Sequence, residues 1–141
     1  MRTFAKARAS VLSYRMKNVI VYAVKRCGGA AVARRINRDL GANVLVVDEL
    51  FVNDDFKFCK DAVVVAIAFP NTTVERLHKL FADMACKNDD TVTETECGLL
   101  IARSHTIRDN AKRLNIKFFD VSGENIEKTF DACVEYVKNN L

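Results

Sequence analysis

Two short runs, VIVYAV at 19–24 and AVVVAIAF at 62–69, constrain this chain more than any other feature. Neither alternates polar with apolar residues, so neither has a face to offer water. Short runs rich in β-branched residues are expected as strands buried on both sides, the pattern of a parallel sheet covered by helices. Two further runs, VLVV at 44–47 and IKFFDV at 116–121, read as strands as well. Between them the apolar period changes to that of a helix. In AAVARRINRDL, Ala30, Val32, Ala33, Ile36 and Leu40 share one face and Arg34, Arg35 and Arg38 another, with Gly41 placed to end the helix. Pro70 stops the third strand, and Asn71 or Thr72 can cap a helix over TTVERLHKLFADMA. A further helix is expected from about Glu96 to Leu114. A last one, 124–139, carries Ile126, Phe130, Cys133, Val134 and Val137 at helical spacing. Residues 51–60 read as a loop or short helix, and 86–95 as a polar loop.

Strands alternating with helices predict βαβ units, hence an α/β fold: a single-domain three-layer α/β/α arrangement with a mainly parallel sheet. The 141 residues suffice for one core, and one proline and five glycines leave no linker to divide them. In such folds ligands bind beyond the carboxyl ends of the strands. Here that rim comprises the 25–29 turn, Asp48-Glu49, Pro70-Asn71 and Ser122-Gly123.

Charge is unevenly spread. The first 38 residues hold ten Lys or Arg and no acid, and all 18 acids follow from Asp39 onward. Residues 1–17 form a basic leader or arm ahead of a domain over 18–141. They carry Arg2, Lys6, Arg8, Arg15 and Lys17, with Phe4, Val11, Leu12 and Met16 as apolar bulk, and resemble a mitochondrial transit peptide. A mitochondrial location is therefore expected, with the cytoplasm as the alternative. As a retained arm, the same segment would bind other protein subunits. Nucleic acid, ribosomal RNA included, is the weaker partner, because aromatic residues are not interleaved with the basic ones. No apolar run approaches the roughly 20 residues of a membrane-spanning helix, so no membrane span is expected. The five cysteines, Cys27, Cys59, Cys86, Cys97 and Cys133, form no CxxC pair and read as free thiols in a reducing compartment. His78, Cys86 and Cys97 lack the close ligand pairs of a zinc site, and no metal site is expected.

Several segments in order carry a family likeness over about residues 18–140. A strand and glycine turn lead into VARRINRDLG; a second strand ends in VVDEL; a third runs into FPNTTVERL; the end reads RLNIKFFDVSGENIEKTFDACVEYV. This resembles the small P-loop kinases, the nucleoside-monophosphate kinases and their relatives. The resemblance implies a phosphate loop at the first turn, an acceptor-site acid at Asp48, and lid arginines at Arg103 and Arg108 beside His105.

The chain departs from that pattern where the chemistry should lie. A Walker A loop reads GxxxxGK[ST]. Aligning VARR with the helix behind that motif puts Ala23 at the first glycine, Gly28 at the second, Gly29 at the lysine, and Ala30 and Ala31 at the hydroxyl pair. No GK[ST] occurs anywhere in the chain. The lysine neutralises the β- and γ-phosphates and the hydroxyl ligates Mg²⁺. No catalytic residue is therefore assigned. Lys25 and Arg26 are either anion contacts or a solvated, partner-facing loop. With Gly28, Gly29 and Asp48 they make up the candidate phosphate site, whose free helical N–H groups leave weak ATP or nucleotide binding open. Otherwise no cofactor is expected. A dinucleotide-binding reading would fit Asp48 following Gly28 at the right interval, but GxGxxG is absent. The expectation is a non-catalytic kinase-like accessory or assembly subunit of a larger complex. The alternatives are an active kinase with an atypical phosphate loop and a nucleotide-sensing module.

Overall fold

The structure is a computed structural model that describes residues 19–49, 62–85 and 92–141. The leader, the 51–60 segment, Cys59, Cys86 and the first part of the 86–95 loop lie outside the described residues. Among the described residues four strands and four helices follow one another in the order β1 (Val19–Ala23), α1 (Gly29–Leu40), β2 (Val44–Val47), β3 (Val63–Ala68), α2 (Val74–Ala85), α3 (Glu94–Arg113), β4 (Lys117–Asp120) and α4 (Ile126–Asn140). The strands form one sheet in the order β2-β1-β3-β4, and every pairing is parallel.

The continuous apolar runs occupy the centre of this sheet, as their composition requires. All of β1 is buried, and so is Val65–Ala68 of β3. Register fixes the two faces. Val21 stands opposite Val46 and Val65, and Ala23 opposite Ile67, which stands opposite Phe119. The nearest atoms to Gly29 of α1 belong to Ala23, Val46 and Val21, so this set faces α1. Phe119 meets Tyr136 of α4 edge-on, with ring centroids 5.9 Å apart, on the same face. Tyr22 points the other way, and its hydroxyl accepts a hydrogen bond from Asn110 Nδ2 of α3 at 3.1 Å. Helices α1 and α4 therefore cover one face, and α3, backed by α2, covers the other, which makes the three layers.

Helix ends follow the local chemistry, with shifts from the expected boundaries. Gly41, at φ 64°, ends α1 as expected and donates its N–H to Asn37 O at 3.0 Å. The cap of α2 is neither Asn71 nor Thr72: Thr73 Oγ1 accepts from Arg76 N at 3.2 Å. Helix α3 starts before Glu96, because Thr93 Oγ1 accepts from Glu96 N at 3.1 Å, the TxxE arrangement of a capping box. It ends in a Schellman motif: Asn115 at φ 57°, Ile116 N donating to Ala111 O at 2.8 Å, and Asn115 N to Lys112 O at 3.3 Å.

The strand order places the chain's change of direction between β1 and β3. From β1 the chain moves outward to β2, and from β3 it moves the opposite way to β4. Beyond the carboxyl ends of these two strands lies the crevice that ligands use in open parallel sheets. The same order opens flavodoxin-like sheets, so order by itself assigns no function.

Candidate functional site

The β1–α1 turn spans Val24–Gly28 and is knitted to the core. Val24 N donates to Ile67 O at 3.2 Å, and Cys27 N to Val24 O at 3.4 Å. The Cys27 thiol is buried and donates to Ile67 O at 3.6 Å. Burial pushes it up to about 11, so it stays protonated at neutral pH. Two residues adopt left-handed backbone, Arg26 at φ 67° and Gly28 at φ 94°. For Gly28 this is what glycine permits. The position also touches the last helix, since a Cβ on Gly28 would come within 2.5 Å of Phe130 Cζ.

Gly29 opens α1 under a second constraint. A Cβ there would lie 2.7 Å from that of Ala23. Real Cβ atoms do not approach so closely, so the turn holds its shape because residue 29 has no side chain. No side chain caps α1 at Gly28 and its first turn contains no acid, so the helix start that lines the groove carries no acidic partner of its own.

The structure gathers all five residues of the candidate phosphate site, Lys25, Arg26, Gly28, Gly29 and Asp48, around one groove of about 760 Å³. Ala30, Ala31, Arg34 and Glu49 line it too. Lys25 Nζ lies 3.7 Å from Asp48 Oδ2, so two of the expected site residues face each other. The two side chains are 69% and 42% exposed, and a pair this solvated is worth at most about 1 kcal/mol. Within the groove three cations, Lys25, Arg26 and Arg34, stand against two carboxylates.

The expected lid residues divide. Arg103 shares a smaller cavity of about 370 Å³ with Asp48, Glu49 and Tyr22, on the α3 face of the sheet. Arg108 instead turns to its neighbour Asp109, Nε to Oδ1 3.4 Å. His78 is part-exposed, with Nδ1 3.9 Å from Glu94 Oε1. Cys27, Cys97 and Cys133 are free and buried. Among the described residues no three metal-ligating side chains converge, and no helix is long and apolar enough to cross a membrane.

Sequence reasoning missed a second cavity, of about 410 Å³, at the β1/β3 crevice. Arg26 and Cys27 reach it from the first turn, Phe69 and Thr72 from the end of β3, Arg76 from α2, and Ser122 from the end of β4. One wall is held by a polar clasp. Asp120 Oδ1 accepts from Ser122 N at 2.8 Å, Asp120 Oδ2 accepts from Asn71 Nδ2, and Ser122 Oγ accepts from Asn71 N at 2.8 Å. Two of the four rim segments, Pro70-Asn71 and Ser122-Gly123, are thus tied together. The signal was present as Asn71, Asp120 and Ser122, but their meeting depends on β3 and β4 being neighbours.

No protein-family model, curated protein or solved structure matches this chain.

Proposed function

We propose that this chain is a non-catalytic module on a P-loop-kinase-like plan, acting as an accessory or assembly subunit of a larger protein complex. The observation that carries this reading is the contact between Gly29 and Ala23. The lysine place of the aligned motif is held by a glycine, in a spot where even a methyl group would collide with its neighbour. Position 29 has no room for a phosphate-gripping side chain while residue 23 carries a Cβ. The hydroxyl places are held by Ala30 and Ala31, which offer no ligand to Mg²⁺. One electrostatic contact of this kind contributes about 3–4 kcal/mol to a transition state.

The groove's charge supports the same reading. Lys25, the one lysine lining the groove, is paired with Asp48 and so is partly neutralised before any phosphate arrives. In this reading residues 1–17, basic and free of acid, supply the arm that meets the partner subunit, and their composition favours a mitochondrial address.

The test is twofold. Purified full-length chain is assayed for phosphoryl transfer from Mg²⁺–ATP to nucleoside monophosphates, and its melting temperature is followed with ATP, ADP and monophosphates at millimolar concentration. No turnover and no shift are expected. Ordinary turnover sinks the proposal. Stabilisation without turnover replaces it with a nucleotide-sensing role, because a ligand that binds only the native state must raise the melting point.

A further inference from the structure

We propose that the cavity in the β1/β3 crevice is a docking pocket for a segment of a partner protein that carries a bulky apolar side chain next to carboxylates. The proposal rests on the accessory-subunit reading and names the chemistry of one partner contact.

The cavity's floor is apolar, formed by Phe69, Leu77, Val121 and Ile126, and at about 410 Å³ it lies near the small end of the range of about 300–1,000 Å³ for ligand cavities. Its rim continues onto the outer face of α2. Leu80 stands on that rim and is 42% exposed, one of few large apolar side chains so placed among the described residues. A chain segment that enters the cavity and leaves across α2 covers it as well. Apolar anchors ringed by polar groups are how protein interfaces concentrate their binding energy.

Charge around Leu80 sets the partner's sign. Arg76 precedes it by one helical turn and Lys79 is adjacent in sequence; both are exposed and line the same cavity. Neither side chain pairs with an acid among the described residues, unlike Lys25, Arg35, Arg38 and Arg108. Asp83, one turn beyond Lys79, Glu124 across the cavity and Arg26 from the first turn are the other charged residues of its lining. Among the α2 residues that line the cavity, charge therefore runs from positive at Arg76 and Lys79 to negative at Asp83. It suits a carboxylate set beside Arg76 and Lys79 better than a uniformly acidic tract.

The experiment uses the full chain and a panel of short fluorescent peptides with a single Trp, Phe or Leu flanked by Asp and Glu. Each is matched by a counterpart in which Lys replaces the acids. Acidic members are expected to bind, more weakly as salt rises. The double variant Arg76→Glu with Lys79→Glu should weaken binding at least about tenfold, and Leu80→Asp by a similar factor. All three positions are exposed, and unchanged melting confirms that the variants fold. The proposal is overturned if no acidic peptide outbinds its lysine counterpart, if both variants bind like wild type, or if nucleosides or nucleotides displace the peptide. Phosphoryl transfer by the wild type would sink the accessory reading separately, since these variants leave the Gly28–Ala31 turn untouched.

Discussion

Ala23 and Gly29 share one small volume at the start of α1: a methyl group on residue 29 would lie 2.7 Å from the one on residue 23. In the aligned motif these places belong to a glycine and a lysine.

Gly29→Ala should therefore destabilise the protein by about 1–3 kcal/mol through overpacking. The sign is informative, because alanine in an unhindered helix gains up to about 1 kcal/mol over glycine. The double variant Ala23→Gly with Gly29→Ala should recover most of the loss, giving a strongly non-additive cycle. Urea unfolding of the four proteins measures it. A Gly29→Ala variant as stable as wild type refutes the contact.

Stability should fall at high pH through the buried thiols. Burial raises Cys27 from 9.0 to about 11 and Cys133 to about 12, the latter despite an opposing effect from Arg35. Both thiols are protonated in folded and unfolded chains below pH 9, so their contribution is complete there. Above pH 9 the unfolded chain releases protons first. Stability then declines by roughly 1.4 kcal/mol per pH unit for each thiol until the folded thiols ionise near pH 11 and 12. Denaturation between pH 8 and pH 11, comparing wild type with Cys133→Ala, reads the slope. Equal slopes would show that Cys133 does not titrate this way.

The clasp between the β3 and β4 turns predicts a third effect. Asp120 accepts from Ser122 N and from Asn71 Nδ2, and Asp120→Ala leaves both donors without it. A loss of about 1–3 kcal/mol is expected, with Asp120→Asn losing less because one carboxamide oxygen still accepts. Hydrogen exchange should show the amides of Asn71 and Ser122 losing protection together. Protection unchanged at Asn71 would mean the two turns are not coupled.

The fold was legible because its signals are local. An unbroken β-branched run such as VVVAIA states its own burial, and Gly41 ends a helix by its backbone freedom alone. Helix starts were less legible. Thr73 caps α2 where Asn71 or Thr72 was expected, and Thr93 caps α3 ahead of the expected start at about Glu96, since a cap is decided by which hydroxyl faces the first free N–H. At the candidate site, the absence of GK[ST] was readable from VKRCGGAA. The pairing of Lys25 with Asp48 was not, because it depends on β2 lying beside β1.

Composition and periodicity alone determined a parallel α/β sheet and a first turn without a GK[ST] sequence, because both are properties of neighbouring residues. Only the tertiary structure decided that Ala23 excludes a side chain at Gly29, that Phe130 closes on Gly28, and that a second cavity opens where β1, β3 and β4 end. Those contacts join residues far apart in the chain, and their distances are set by strand order and helix packing, which no local pattern encodes.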